Sequence, residues 1–417
     1  MMPYRVEKVA SADGLVALET EWRALERSSE NTLPFRTFAW TSAWWRHLHE
    51  QRRAVSDSLA IRTIRTSDGR LVGVAPLTVT ERPAFGPFRT RTLRFIGADP
   101  NLTEVRGLLC ESGLEAACHV ALNEALVRCA HEFDWMEWTG IDLRNGVGDA
   151  LSRAGLPLSA GVAFYTLDLP PTWEALKSSG GRNLKESLRK CYNSLRRDRL
   201  EFRLTVVSKR ADVGGALVDF FRLHSARASS VETLHHNDVF AHPACRSFLL
   251  DVCGQLADQG ELRIFRLEVG GKLVATRIGF VLGESLYLYY SGYDPAYGKY
   301  GVMTTTVAEA IKDSIARGLR QVNLSSGADP SKLRWRPRES AFYETLLVSP
   351  GLVGRTKHAA MRLVSRAIQQ PGMQRYAERF DLVRRTSHRT RPAGVGPHVS
   401  VPSLPAIVPA EAERARQ

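Results

Sequence analysis

The stretch "YDPAYGKYGVMTTTVAEAIKDSIARGL" sets Gly298 and Gly301 three apart and then runs directly into a helical pattern. Val307, Ala310, Ile311, Ile315 and Leu319 form an apolar stripe at helical spacing, and Gly318 stands where a C-cap glycine belongs. A helix N-terminus carries unpaired backbone N–H groups and the positive end of a dipole, so it suits a diphosphate; the same spacing also makes a bare turn. His224 and Arg227 lie three apart on a predicted helix, hence on one face, where they can orient an acceptor or stand as a surface pair. His235-His236 is a poor metal pair, because adjacent side chains rarely point the same way and no carboxylate cluster is near. No Ser/His/Asp or Cys/His signature occurs. The P-loop GK[ST] and the dinucleotide GxGxxG are also missing, which disfavours those two nucleotide-binding classes.

These residues need a scaffold, and the chain spells one out. "SLYLYYSG" reads as a strand over Ser285–Ser291, and "RQVNLSS" as the strand that follows the Gly301 helix. Upstream, "LRIFRLEVGGKLVATRIGFVLG" is a hairpin around Gly270-Gly271. "LAIRTIRTSDGRLVGVAPLTVTE" is another, around Asp68-Gly69. Each hairpin is followed by a strand, a helix and a further strand; in the first half the last two are "LEAACHVALNEALVRCA" and "DWMEWTGI". The shared order, with "GRLV" and "GKLV" at the hairpin tips, suggests a duplicated unit. Two unrelated α+β domains can also share such an order. Between the halves, Leu184, Leu188, Tyr192 and Leu195 give a helical stripe whose other face is basic. "VGGALVDFFRLHSARAS" and the segment from Pro243 to Ala257 are two more helices.

The bulk numbers frame this reading. The chain has 417 residues, 44% hydrophobic and 24% charged, enough for two to three ordinary domains with sizeable cores. Neither a signal peptide nor a long apolar span is expected, and six scattered cysteines fit reduced thiols; the expected compartment is the cytoplasm. The net charge of +13 is concentrated in two places. Residues 182–199 hold seven Arg/Lys against Glu186 and Asp198, and residues 384–417 hold six Arg against two Glu. That argues for local basic features, not general DNA binding. The basic helix suits a solvated face, an anionic acceptor or membrane surface, or RNA. From about Ser387 the chain is rich in Pro, Gly and Ser and is expected to be a disordered tail.

The second half resembles the GNAT acyltransferase fold, and more narrowly the CelD-like (BioF-associated) acetyltransferase family. "LHSARAS", "NLKESLRKCYNSLRRD" and the run from Gly260 to Trp335 carry the likeness. So does the N-terminal pattern at Trp22, Pro34, Phe35, Trp40, Trp44 and Trp45. The resemblance implies two tandem GNAT-like domains of α+β or α/β class, each a mixed twisted sheet flanked by helices, related to the FemAB-type transferases. The expected division is 1–165 with a degenerate cofactor site, 166–350 as the acyltransferase domain, 351–386 as a helical extension and 387–417 as the tail. Acetyl-CoA or another acyl-CoA would lie on Tyr300, Gly301, Val302, Met303 and Thr304, with Lys332 on a phosphate or carboxylate; no metal is expected. His224 and Arg227 would face the acceptor, an amine such as an amino sugar or envelope precursor. The family's Tyr-Lys pair stands here as Ser331-Lys332, and Met303 interrupts the usual glycine signature. Tyr290, Tyr293 and Tyr343 are the substitutes that stand near in sequence, with Tyr293 taken as the candidate acid, and Asp294 is the candidate base or simply a turn residue. Two alternatives remain at this level: a transferase taking aminoacyl-tRNA as donor, and a non-catalytic binding protein on the same fold.

Overall fold

The computed structural model describes residues 4–83, 89–99, 101–230 and 237–368, with the side chains of 364–368 left aside. His235-His236 and the 387–417 tail lie outside the described residues. So does the part of the expected helical extension beyond 368.

The first half begins with β1 (Tyr4–Val9), helices α1 (Ala12–Ala17), α2 (Glu19–Ser28) and α3 (Phe38–Leu48), and the short β2 (Gln51–Arg52). Next come β3 (Val55–Leu59), β4 (Ile61–Thr66), β5 (Leu71–Ala75) and β6 (Leu77–Arg82), which form one long bent hairpin. Asp68-Gly69 is its tip, as the alternation predicts. Pro76 lacks an N–H and interrupts the ladder between β5 and β6, so the tip joins one sheet and the base another. Strands β7 (Thr90–Phe95) and β8 (Leu109–Cys110), helix α4 (Glu115–Arg128), strand β9 (Trp135–Ile141) and helix α5 (Val147–Arg153) complete this half.

The second half opens with β10 (Ser159–Asp168), α6 (Trp173–Ser179), α7 (Arg182–Arg197) and β11 (Phe202–Val207). It continues with α8 (Arg210–Ala228), α9 (Pro243–Asp258), β12 (Leu262–Val269), β13 (Lys272–Leu282) and β14 (Ser285–Tyr293). The chain then runs through α10 (Val302–Ala316), β15 (Gln321–Ser326), α11 (Pro330–Leu333), β16 (Arg338–Val348) and α12 (Leu352–Ile368). The repeated order holds in three dimensions. The strand before the helix pairs in parallel with the strand after it in both halves, β7 with β9 and β14 with β15. A crossover helix is what a parallel pair requires.

The halves are joined in one twelve-stranded sheet, in which β10 lies between β15 and β16, and β16 pairs with β9 of the first half. The expected boundary at 165/166 falls inside β10. A second, four-stranded sheet runs β1-β4-β5-β8. The tryptophan-rich start is core: Trp22, Trp40 and Trp44 are fully buried, and Trp40 meets Phe248 of α9 edge-on at 5.1 Å and Tyr289 of β14 at 5.6 Å. Such edge contacts add to the burial of large aromatic surface. One hydrophobic cluster therefore crosses both halves.

Candidate functional site

Strands β14 and β15 are paired only from Ser285/Gln321 to Tyr287/Asn323, and beyond that they part. Two irregularities open the gap. On β14 an extra residue lies near Tyr289–Tyr290, because Arg277 faces Ser291 while Gly279 faces Leu288. On β15, Ser325 has φ +73, a left-handed backbone that a serine adopts only when its surroundings hold it there. Its N–H donates to the Asn323 side chain at 2.8 Å, and its hydroxyl donates to Glu104 at 2.7 Å.

A polar cavity of about 520 Å³ lies at this opening, at the carboxyl ends of the parallel pair, where ligands of open α/β sheets collect. Helix α8 supplies His224 and Arg227, β13 supplies Arg277, and the segment after β15 supplies Ser331 and Lys332. The first half supplies Glu104.

Each side chain is held by identifiable contacts. A Cβ on Gly292 of β14 would collide with the backbone of Leu223 and His224, so glycine lets α8 lie directly on the strand. At that contact the His224 Nδ1–H donates to the Ser291 carbonyl at 3.0 Å, and Arg227 donates to the Ser291 hydroxyl at 3.0 Å. Burial lowers the His224 pKa, favouring the neutral ring. Glu104 rides on a loop fixed at several points. Asp99 accepts the N–H of Thr103 at 2.9 Å, and the hydroxyls of Tyr289 and Tyr290 donate to the carbonyls of Leu102 and Asn101. Glu104 then also accepts the N–H of Ser326 at 2.9 Å. The Lys332 amine donates to the Ser326 carbonyl. Burial, reinforced by the positive charge of Arg277, lowers its pKa to about 8. Burial likewise brings the Arg277 guanidinium down to about 10, which leaves it charged at neutral pH.

Of the residues expected from the sequence, His224, Arg227 and Lys332 meet in this cavity. Tyr293 and Asp294 are not among its lining. Asp294 caps the 3-10 turn Pro295–Tyr300 by accepting the Ala296 N–H, and it pairs with Lys272 at 2.8 Å; the hydrogen bond from Lys272 lowers its pKa. The Tyr293 ring lies under the Arg227 guanidinium, 5.5 Å away. Glu104, Arg277 and Ser325 were missed. The signals were a glutamate in the loop "DPNLTEVRG" and an arginine inside the otherwise apolar strand "VATRIGFV".

The Gly301 turn, on which the sequence resemblance would rest an acyl-CoA diphosphate, has Cys191 of α7 close beside it. Gly301 has φ +64 and caps α10, as the spacing predicts. Helix α7 packs its stripe of Leu184, Leu188, Cys191 and Leu195 against this side of the molecule. A Cβ on Gly301 would strike the Cys191 sulfur. Burial raises the Cys191 pKa despite hydrogen bonds with Thr304 and Thr305, so a neutral thiol covers the turn. Tyr300 and Val302 are buried, and the Tyr300 hydroxyl donates to Asp198 just past α7 at 2.8 Å. In this arrangement Cys191 packs against one side of the turn, while Gly301, Met303 and Thr304 stay partly exposed. Among the described residues no cluster of three or more His, Cys, Asp or Glu stands together as a metal site. None of their helices is long and apolar enough to cross a membrane.

Comparisons with known proteins agree with the architecture. Residues 182–333 match the family profile described as an acetyltransferase (GNAT) domain. None of the curated proteins matches the chain. Among solved structures, FemX superposes with a TM-score of 0.53 at 11% identity, covering 78% of this chain and 95% of its own. A conserved protein of unknown function from Bacteroides thetaiotaomicron gives 0.47 at 12% identity, covering 84% of this chain and 100% of its own. The C-terminal domain of a putative lysylphosphatidylglycerol synthetase from Agrobacterium fabrum gives 0.48 at 13% identity, covering 86% and 97%. At such identities FemX speaks for the fold alone, and the other two superpositions are too loose to carry an argument. The profile match spans residues 182–333, and the parted parallel strands β14 and β15 lie within it.

Proposed function

We propose that this chain is an acyltransferase that joins an activated acyl group to an amine in the cavity between its halves. The observation that carries the reading is the parting of β14 and β15 over a polar cavity that contains an amine of pKa about 8. Acyl transfer to an amine moves one proton off the nucleophile and one onto the leaving group, with a transient oxyanion between. Lys332 suits both proton transfers. Near neutrality it can take the proton from the attacking amine, and as an ammonium it can return it to the departing ester or thioester oxygen or sulfur. This removes the need for the tyrosine that Ser331 replaces. Arg227 and Arg277 favour an acceptor that also carries a phosphate or carboxylate, and Glu104 offers a carboxylate to its amine.

The donor is the second question, and the Cys191 sulfur beside the Gly301 turn favours one answer. A CoA diphosphate would have to displace Cys191, whereas an aminoacyl ester delivered by tRNA makes no use of that turn. The basic residues of α7 are all exposed, and α7 adjoins the Lys332 segment through a hydrogen bond from Arg334 to Ser187 at 2.6 Å. They would meet the phosphates of an RNA carrier, with affinity that falls steeply as salt rises.

The test is calorimetry with acetyl-CoA and with tRNA at low and moderate salt, using wild type and Met303→Glu. Met303 is partly exposed in the first turn of α10, so a carboxylate there supports the helix and repels a phosphate. Salt-sensitive tRNA binding unchanged by Met303→Glu is expected. Acetyl-CoA binding that Met303→Glu abolishes would assign the thioester as donor and show that α7 yields. Binding of neither donor by the folded protein would overturn the transferase reading.

A further inference from the structure

We infer that α12 is a docking element for an anionic lipid bilayer, lying flat on it. The proposal stands on a helix packed against β16 and against Asp134 and Trp135 of the first half, and it does not depend on which donor is used.

Helix α12 is anchored on one side only. Gly354 is buried, Lys357 pairs with Asp134 at 3.3 Å, and the His358 ring lies 5.5 Å from that of Trp135. The opposite side is apolar and no described residue covers it: Leu352 is 80% exposed, Val353 64% and Leu363 66%. Placed at helical spacing, Ala359, Leu352, Leu363, Thr356, Ala360 and Val353 form one continuous arc of about 120°. The exposed Arg355 and Arg362 border that arc on one side, and Lys357 borders it on the other. The helix contains no Asp or Glu at all.

An apolar arc edged by basic side chains is the pattern of a helix that lies in a membrane interface, its apolar side chains among the acyl chains and its cations at the phosphates. The large exposed side chains have no place in a solvated helix, where a stripe of this kind costs solubility. Charge decides between a bilayer and a second copy of the chain. A two-fold contact would set Arg355 and Arg362 against their own counterparts with no acid on the helix to pair them. The chain as a whole carries +13, which an anionic surface attracts and a second copy repels.

The experiment is co-sedimentation of the full chain with vesicles of pure phosphatidylcholine and of equal parts phosphatidylcholine and phosphatidylglycerol. Wild type should pellet with the anionic vesicles and stay in solution with the neutral ones. Leu352→Glu/Leu363→Glu should weaken binding at least about tenfold with an unchanged melting curve, since both side chains are already in water. Arg355→Glu/Arg362→Glu should do the same. Arg189→Glu/Arg196→Glu on α7 should bind like wild type. No binding by wild type would overturn the inference. So would full binding by the Leu352→Glu/Leu363→Glu variant, which would mean that general positive charge alone holds the chain to lipid. A lipid-free dimer in light scattering, dissociated by Leu352→Glu, would give the face to a second copy instead.

Discussion

Lys332 is the residue on which the proposed chemistry turns, because its proton can leave near neutral pH. Burial beside Arg277 lowers its pKa to about 8, against an ordinary lysine near 10.5. If its neutral form takes the acceptor's proton, kcat/KM rises with pH through about 8 and levels off above. Lys332→Met should lower kcat/KM by roughly 100-fold or more and erase that rise, while leaving the melting temperature near wild type. A variant that keeps the rise would place the base elsewhere, with His224 next in line. His224, Arg227 and Lys332 were legible because each sits in a local pattern: a helix face for two of them, a family motif for the third. Glu104 and Arg277 were not. Glu104 reaches the site from 221 residues away in sequence, through its bond with Ser325, and no local pattern encodes such a meeting.

At the scale of elements, α10 and α7 explain why the Gly301 turn was read correctly as a turn yet incompletely as a site. The glycine spacing and the apolar stripe predict a capped helix, and the structure has one. The stripe of α7 likewise predicts a packed face, but it does not say against what. That partner is the turn itself. Gly301→Ala puts a side chain at φ +64, which costs about 1–2 kcal/mol for an L-residue, and also drives it into Cys191. In urea titrations Gly301→Ala should therefore lose about 2–3 kcal/mol. In a Cys191→Ala background the same change should cost only the backbone share, about 1–2 kcal/mol. A coupling energy near zero in this double-mutant cycle would mean that α7 does not cover the turn in solution. Thr304→Ala should change acyl transfer little if the cradle holds no diphosphate.

The whole molecule adds constraints that no single element shows. Strands β10 and β16 of the second half stand between β15 and β9, so one sheet runs on from the second half into the first. The shared order of hairpin, helix and strand was legible in the sequence. The β16–β9 junction was not, because strand pairing across the middle of a chain leaves no local mark. Two carboxyls report on the joint between the halves. Burial pushes Glu26 of α2 up to about 7, and Glu261, just before β12, up to about 7 as well, with the charge of Glu26 adding to the rise of Glu261. A raised carboxyl binds its proton more tightly in the folded state, so its contribution to stability is present below about pH 4.5 and is lost as pH rises to about 7. Glu26→Gln should match wild type near pH 5 and exceed it by up to about 3 kcal/mol at pH 8. An advantage independent of pH would refute the linkage.

The continuous sheet leads to a prediction about what folds. The family-matched segment, 182–333, looks like a domain by sequence but leaves out both β10 and β16. Cut out, it would expose the edge of β15 along the strand that bears Ser325, and an unpaired edge invites aggregation. A longer piece, 159–348, restores β10 and β16. It still lacks α3, whose Trp40 covers Phe248, Phe280 and Tyr289. Burying that surface is the main favourable term in folding, and a bare aromatic face of this size is what exposed cores aggregate through. Both fragments should be insoluble or molten, while the full chain unfolds in one cooperative transition by circular dichroism and by tryptophan fluorescence alike. A soluble 182–333 fragment with a sharp thermal transition would show that the halves are independent, and the cavity between them would then be a hinge between domains and not a part of one core.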